Sequence, residues 1–179
     1  MKLRVAIICG GPSSEHEISC LSANSVLAAI DRSKFEPLLI GITKSNKWVQ
    51  LPNEYKFEIK DGNLPVIPES APEISKNLNE LKIDVAFPVL HGAYGEDGEI
   101  QKLFESIGVS YTGNGVSASA TAMDKSKAKE AFKSAGLKVV EGFTLNIGDE
   151  VSDREYQYPV FVKPASGGSS RGTHKVKSS

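Results

Sequence analysis

Leu3-Arg4-Val5-Ala6-Ile7-Ile8-Cys9-Gly10-Gly11-Pro12 opens the chain with a β-rich apolar run that two glycines and a proline bring to a halt. A second such run follows at Phe35-Glu36-Pro37-Leu38-Leu39-Ile40-Gly41-Ile42. Between them, residues 15–30 place Ile18, Leu21, Ser22, Ser25, Val26 and Ala29 on one shared helical face. Strand, tight loop, helix and strand make a βαβ unit. Its default is parallel pairing with a right-handed crossover, so the expected fold class is α/β built on a parallel sheet.

The pattern extends outward from that unit. Residues 51–82 hold four of the nine prolines and are otherwise polar, which predicts a long surface excursion with one short helix near residues 74–81. Ile83 to Leu90 resumes the sheet. Beyond a glycine-rich loop, Ile100, Leu103, Phe104 and Ile107 fall at i, i+3, i+4 and i+7 before Gly108, the spacing of a helix with a glycine stop. Val109-Ser110-Tyr111 reads as a short edge strand. Asp124 is placed to cap a helix that carries Lys125, Lys127 and Lys129, has Ala128, Ala131, Phe132 and Ala135 as its stripe, and closes at Gly136. Residues 139–145, 160–163 and 173–176 are strand candidates for an antiparallel meander. A sheet of that size with one helix buries little core, which suggests the start of a second domain that the chain does not complete.

Composition excludes several functions. The 179 residues carry 21 basic and 22 acidic side chains, a net charge of −1, so there is no basic field to hold a phosphodiester backbone and nucleic-acid binding is not expected. Val5 to Cys9 is far too short for a signal core or a membrane span, so a cytoplasmic location away from membranes is expected. Cys9 and Cys20 form neither a disulfide scaffold nor a CxxC metal motif, and read as small buried apolar groups. Charge is uneven: net −4 up to residue 115 and +3 after it, which makes the second part the better host for an anion.

Three loops could carry chemistry. Gly10 to Glu17 lies between strand and helix, where open α/β sheets bind ligands, yet it is neither GxGxxG nor a P-loop. Glu15 and Glu17 read either as first-turn acids facing the helix dipole or as a carboxylate that receives a substrate ammonium. In His91-Gly92-Ala93-Tyr94-Gly95-Glu96-Asp97-Gly98, an imidazole and two acids share a loop with three glycines. Asp97 could be a helix cap and His91 a structural histidine, or the group could form a site together with Glu96. Lys163 followed by Pro164-Ala165-Ser166-Gly167-Gly168-Ser169-Ser170-Arg171-Gly172 offers a fixed cation and many backbone N–H groups, suited to polyphosphate, unless the run is simply a linker. Gly168 to Gly172 also fits GxSxG, but the strand, elbow and helix that a hydrolase nucleophile at Ser170 needs are not in the pattern.

Taken in order, four stretches resemble the N-terminal part of the D-alanine–D-alanine ligase family of the ATP-grasp superfamily: residues 5–19, residues 91–101, Tyr111-Thr112-Gly113 through Met123-Asp124-Lys125, and Tyr158-Pro159-Val160-Phe161-Val162-Lys163-Pro164 on to Gly172. The resemblance implies ATP-dependent joining of two D-alanines through an acyl phosphate, for peptidoglycan precursors and hence the cell wall. It implies a Rossmann-like, pre-ATP-grasp domain over residues 1–115 that binds D-alanine, then an incomplete α+β ATP-grasp domain over residues 116–179. By position, Glu15 resembles the acceptor of the first D-alanine ammonium and His91 the imidazole beside its carboxylate, with Glu96 orienting His91. Lys125 and Lys163 match lysines that contact ATP phosphates. Gly167, Gly168, Ser169 and Ser170 form the loop over them, Ser169 corresponding to the serine hydrogen-bonded to the Glu15 equivalent.

Two residues depart from the family pattern: Lys102 stands where a small residue is common, and Arg171 where an apolar one is usual. The family continues through a further domain that holds the Mg²⁺ (or Mn²⁺) ligands and much of the second D-alanine pocket. The expectation is therefore that this chain alone lacks those metal ligands and ligase turnover. A non-catalytic fragment that binds D-alanine or a partner, and a D-alanine–D-lactate ligase, are the competing readings. Homodimers are common in the family that the chain resembles.

Overall fold

The computed structural model describes residues 1–150 and 157–178. The chain divides into two compact units, Met1–Ser119 and Ala120–Ser179.

In the first unit, β1 (Leu3–Gly10), α1 (His16–Ala29) and β2 (Phe35–Ile42) form the βαβ unit, with β1 and β2 parallel from Leu3 opposite Phe35 to Gly10 opposite Ile42. The chain then adds β3 (Trp48–Leu51), crosses to β4 (Val85–Pro88), and continues through α2 (Glu99–Ile107) to β5 (Ser110–Tyr111). Strand order is β3-β2-β1-β4-β5, parallel throughout except for β3, which runs antiparallel to β2. Side chains alternate along a strand, so a sheet covered on both faces buries two sets of residues. Ala6 and Ile8 of β1 join Leu38, Ile40 and Ile42 of β2 under Ile100 and Phe104 of α2. Val5, Ile7 and Cys9 face the other way, against Cys20, Ala23 and Leu27 of α1.

Several expectations change here. The packed face of α1 is His16, Ser19, Cys20, Ala23 and Leu27, while Ile18 is 47% exposed. Small residues let the helix approach the sheet closely, and the polar ones hold the strand ends: Ser19 Oγ donates to the Val89 carbonyl at 2.7 Å and accepts from the Gly10 amide at 2.8 Å. Both cysteines are buried, as expected. The proline-rich stretch is more than a surface excursion, because Phe57, Ile67 and Leu78 sit in the core. Its short helix is a single 3₁₀ turn, Leu78–Leu81. On α2, Gly108 takes the left-handed conformation that ends the helix, as its spacing predicted.

In the second unit, Asp124 caps α4 (Lys125–Ser134) by accepting from the Ser126 and Lys127 amides at 2.9 and 3.2 Å. A helix not foreseen from the sequence, α3 (Val116–Met123), precedes it, and the division between the units falls within this helix. The expected stripe of α4 is not covered: Phe132 is half exposed. β6 (Val160–Val162) and β7 (His174–Val176) pair antiparallel. Residues 139–145 are not a strand: a β-rich run needs a neighbouring edge to satisfy its backbone, and among the described residues that segment pairs with neither strand of the two-stranded ladder. Among the described residues no helix is long and apolar enough to cross a membrane.

Candidate functional site

Strand order places the candidate loops of the first unit. From β1 the chain moves through α1 to β2 on one side, then returns to β4 on the other side of β1. The reversal makes β1 and β4 the topological switch point, and the loops after their C-terminal ends flank the crevice where open α/β sheets take ligands. Residues 11–15 and 89–98 are those loops.

Two glycines fix their course. Gly10 has φ +89°, and a Cβ there would lie 2.3 Å from the Ile42 carbonyl oxygen, so only glycine lets the first loop turn beside β2. Gly92 has φ +70°, and a Cβ there would lie 2.5 Å from Oε2 of Glu15. The Glu15 carboxylate therefore rests directly against the backbone that follows His91. Ser13 joins the loops a second time: its Oγ donates to the His91 carbonyl at 2.7 Å and accepts from the Glu15 amide at 3.1 Å. Glu15 and His91, 76 positions apart in sequence, thus share one crevice.

The acids of this region divide the work. Glu17 pairs with Lys44, and that ammonium holds its carboxyl below the ordinary glutamate value. Glu15 faces the Gly92 loop. Glu96 accepts from the Gly92 amide at 2.7 Å, which shapes the loop next to His91, and Asp97 accepts from the Tyr94 and Glu99 amides at 2.8 and 3.1 Å. The group that meets the His91 ring is Ser22, whose Oγ lies 3.1 Å from Nε2. Sequence reading placed Ser22 on a helix face without giving it a role. A serine one turn beyond the packed face of α1 carries no local signal that it will reach a histidine 69 positions away.

His16 has a different task. Its Nδ1 lies 2.7 Å from the Gly11 carbonyl and its Nε2 accepts from the Ile67 amide at 3.0 Å. A carbonyl can only accept and an amide only donate, so the proton sits on Nδ1 and both ring nitrogens serve the loop.

The second unit gathers the remaining candidates on its own. The loop from Lys163 to Gly172 joins β6 to β7 and is fastened to α4: the Lys125 amide donates to the Ala165 carbonyl at 2.9 Å, and Lys125 Nζ donates to the Gly167 carbonyl at 2.7 Å. A cavity of about 210 Å³ opens there, lined by Lys125, Lys163, Gly167, Gly168, Ser169, Ser170 and Arg171 among others. Among the described residues, three cations and no carboxylate line it, a setting for a polyanion. Among the described residues no group of three or more His, Cys, Asp or Glu side chains could hold a metal ion.

Fold and loops together define an α/β domain with a crevice at its topological switch point, and a smaller unit with a cationic cavity. The family described as D-ala D-ala ligase N-terminus matches residues 4–114, and the chain belongs to the D-alanine–D-alanine ligase family as an N-terminal portion. The D-alanine–D-alanine ligase of Mycolicibacterium smegmatis is 43% identical over 198 residues, which cover 98% of this chain and 53% of the relative. The solved structure of the D-alanine–D-alanine ligase from Coxiella burnetii matches with a TM-score of 0.79 and 30% identity, over 99% of this chain and 57% of that one. That of the Bacillus anthracis ligase complexed with ATP matches with a TM-score of 0.71 and 27% identity, over 98% and 50%. The chain spans about half the length of the curated relatives it matches.

Proposed function

We propose that this chain carries the first D-alanine site and part of the ATP-phosphate site of a ligase that joins two D-alanines for peptidoglycan synthesis in the cytoplasm. The observation that carries the reading is the meeting of Glu15 and His91 at the switch point, joined through Ser13 and Gly92. An amino acid is a cation and an anion two bonds apart, so its clamp needs an acceptor of one sign beside a donor of the other. Glu15 receives the ammonium of the first D-alanine, and His91 stands beside the carboxylate.

ATP transfers its γ-phosphoryl group to that carboxylate. The amine of the second D-alanine then attacks the acyl phosphate, phosphate leaves, and the peptide bond forms. Lys125, Lys163, Ser169, Ser170 and the backbone of Gly167 and Gly168 hold the phosphates, where fixed cations and amides offset the charge that develops in transfer. Among the described residues no group of three or more His, Cys, Asp or Glu side chains could hold Mg²⁺.

The test is titration of this chain with D-alanine, followed by NMR or calorimetry, with L-alanine as control. D-alanine is expected to shift resonances of His91 and Gly92, and Glu15→Gln to weaken it by roughly tenfold or more, the scale of a hydrogen bond to a charged group. If D-alanine leaves those resonances where they were, the clamp is not there. Binding of inorganic tripolyphosphate, lost in Lys163→Ala, tests the second unit separately.

A further inference from the structure

We propose that Ser22 is the positioning residue for His91, setting through its hydroxyl which ring nitrogen carries the proton and which one faces the ligand. The inference rests on the D-alanine reading only for the identity of that ligand.

Two histidines of the first unit are held in contrasting ways. His16 has each ring nitrogen on a backbone group of fixed polarity, so its tautomer cannot change without breaking a bond. His91 is held differently. Its carbonyl is anchored by Ser13 Oγ at 2.7 Å, which fixes the backbone, and its ring meets a hydroxyl at 3.1 Å through Nε2. The second ring nitrogen, Nδ1, is then the polar atom the ring offers to a ligand.

A neutral imidazole has one N–H, and a free histidine side chain prefers to carry it on Nε2. In that form Nδ1 presents a lone pair, which repels a carboxylate. A hydroxyl that donates to Nε2 reverses the preference: Nε2 becomes the acceptor and Nδ1 the donor, the polarity that a substrate carboxylate requires. The same hydroxyl can rotate and accept from an Nε2–H, so His91 keeps its partner if it becomes imidazolium. A backbone amide could not do both. Ser22 stands on α1 at the edge of the face that is packed on the sheet through Cys20, Ala23 and Leu27, so the hydroxyl is presented from a fixed platform.

The experiment is ¹⁵N NMR of histidine-labelled chain, which reads each ring nitrogen as N–H or lone pair. It compares wild type with Ser22→Ala and with the isosteric pair Ser22→Thr and Ser22→Val, each with and without D-alanine. The expected result is a lone pair at Nε2 of His91 in wild type and Ser22→Thr, with the proton moving to Nε2 in Ser22→Ala and Ser22→Val. His16 stays Nδ1–H in all four and reports that the fold is intact. D-alanine binding is expected to weaken about three- to tenfold in Ser22→Val relative to Ser22→Thr, the scale of one neutral hydrogen bond. Should Ser22→Ala perturb His16, the Thr and Val pair still isolates the hydroxyl. Identical His91 spectra for Thr and Val overturn the proposal. If the tautomer follows the hydroxyl but D-alanine binds to none of the four proteins, the positioning role stands and the substrate reading falls.

Discussion

Residues 1–119 and residues 120–178 use the same materials, short strands and amphipathic helices, and reach different degrees of burial. In the first unit a five-stranded sheet is covered on both faces, and Ile7, Ile8, Ile40, Trp48 and Phe104 are fully enclosed. After Ser119, none of the described residues is buried. A central strand with neighbours on both sides and helices above and below can hide every second residue on each face. A two-stranded ribbon with one helix offers a single layer and leaves Phe132, Phe161 and Val162 in contact with water. Stability should therefore reside in the first unit, and the chain's one tryptophan, Trp48, reports on that unit alone.

The largest test of this difference is a pair of matched truncations. Phe104→Ala removes a ring with no exposure and leaves a cavity, at a cost of about 3–5 kcal/mol. Phe132→Ala removes a ring that is half exposed and should cost under about 1 kcal/mol. Urea unfolding followed by Trp48 fluorescence gives the first value, and far-UV circular dichroism, which sees the helices of both units, gives the second. Equal losses would mean that the two units share one core, and the contrast would collapse.

Next in size is His16→Ala, which leaves the Ile67 amide and the Gly11 carbonyl without their partner in a site that water does not reach. Each orphaned backbone group costs on the order of 1–3 kcal/mol, and the Trp48 transition should fall accordingly. A loss below about 0.5 kcal/mol would show that water replaces the ring without penalty. The thiols sharpen the same point. The hydrogen bond between the two thiols, together with burial, pushes the Cys9 pKa up, and the same bond lowers that of Cys20 to about 6, but both sulfurs are enclosed, so access rather than thiolate content limits their reaction. Labelling by an aromatic disulfide reagent should then proceed only as fast as the first unit opens, and should accelerate in Phe104→Ala but not in Phe132→Ala.

The comparison also shows why some of the structure was legible beforehand. β1 and β2 are continuous apolar runs, as strands buried on both faces require, and α2 carries a period-3.6 pattern packed on the face that the pattern names, so residue type and position agree. β3 escaped notice because Trp48 to Leu51 is only four residues long and owes its conformation to pairing with β2. Phe57 and Ile67 were hidden by the prolines around them, although their side chains close one face of the core. The face of α1 misled for another reason. Ile18 and Leu21 are the more apolar choice, yet the sheet admits the small Ser19, Cys20 and Ala23, and the helix rotates to suit. At the candidate site, Glu15 and His91 stand out in the sequence because each belongs to a glycine-marked loop. Ser22 does not, since its role exists only through a contact between α1 and the loop after β4.

The smallest effect separates surface from core within the first unit. Lys44 and Glu17 form an ion pair on a partly exposed surface, with the ammonium lowering the carboxyl's pKa. A folded-state value below the unfolded one means that the unfolded chain takes up the proton first. The pair's contribution is therefore present above the ordinary glutamate range, near about 4.3, and fades as pH falls through the lowered folded value. For an exposed pair the contribution is about 0.2–1 kcal/mol and shrinks with added salt. The stability difference between wild type and Lys44→Met should thus be level near neutrality and close on acidification, and at neutral pH it should narrow in 1 M salt. A difference that instead grew toward acid would mean that Glu17 gains its partner only when protonated, which an ammonium cannot provide.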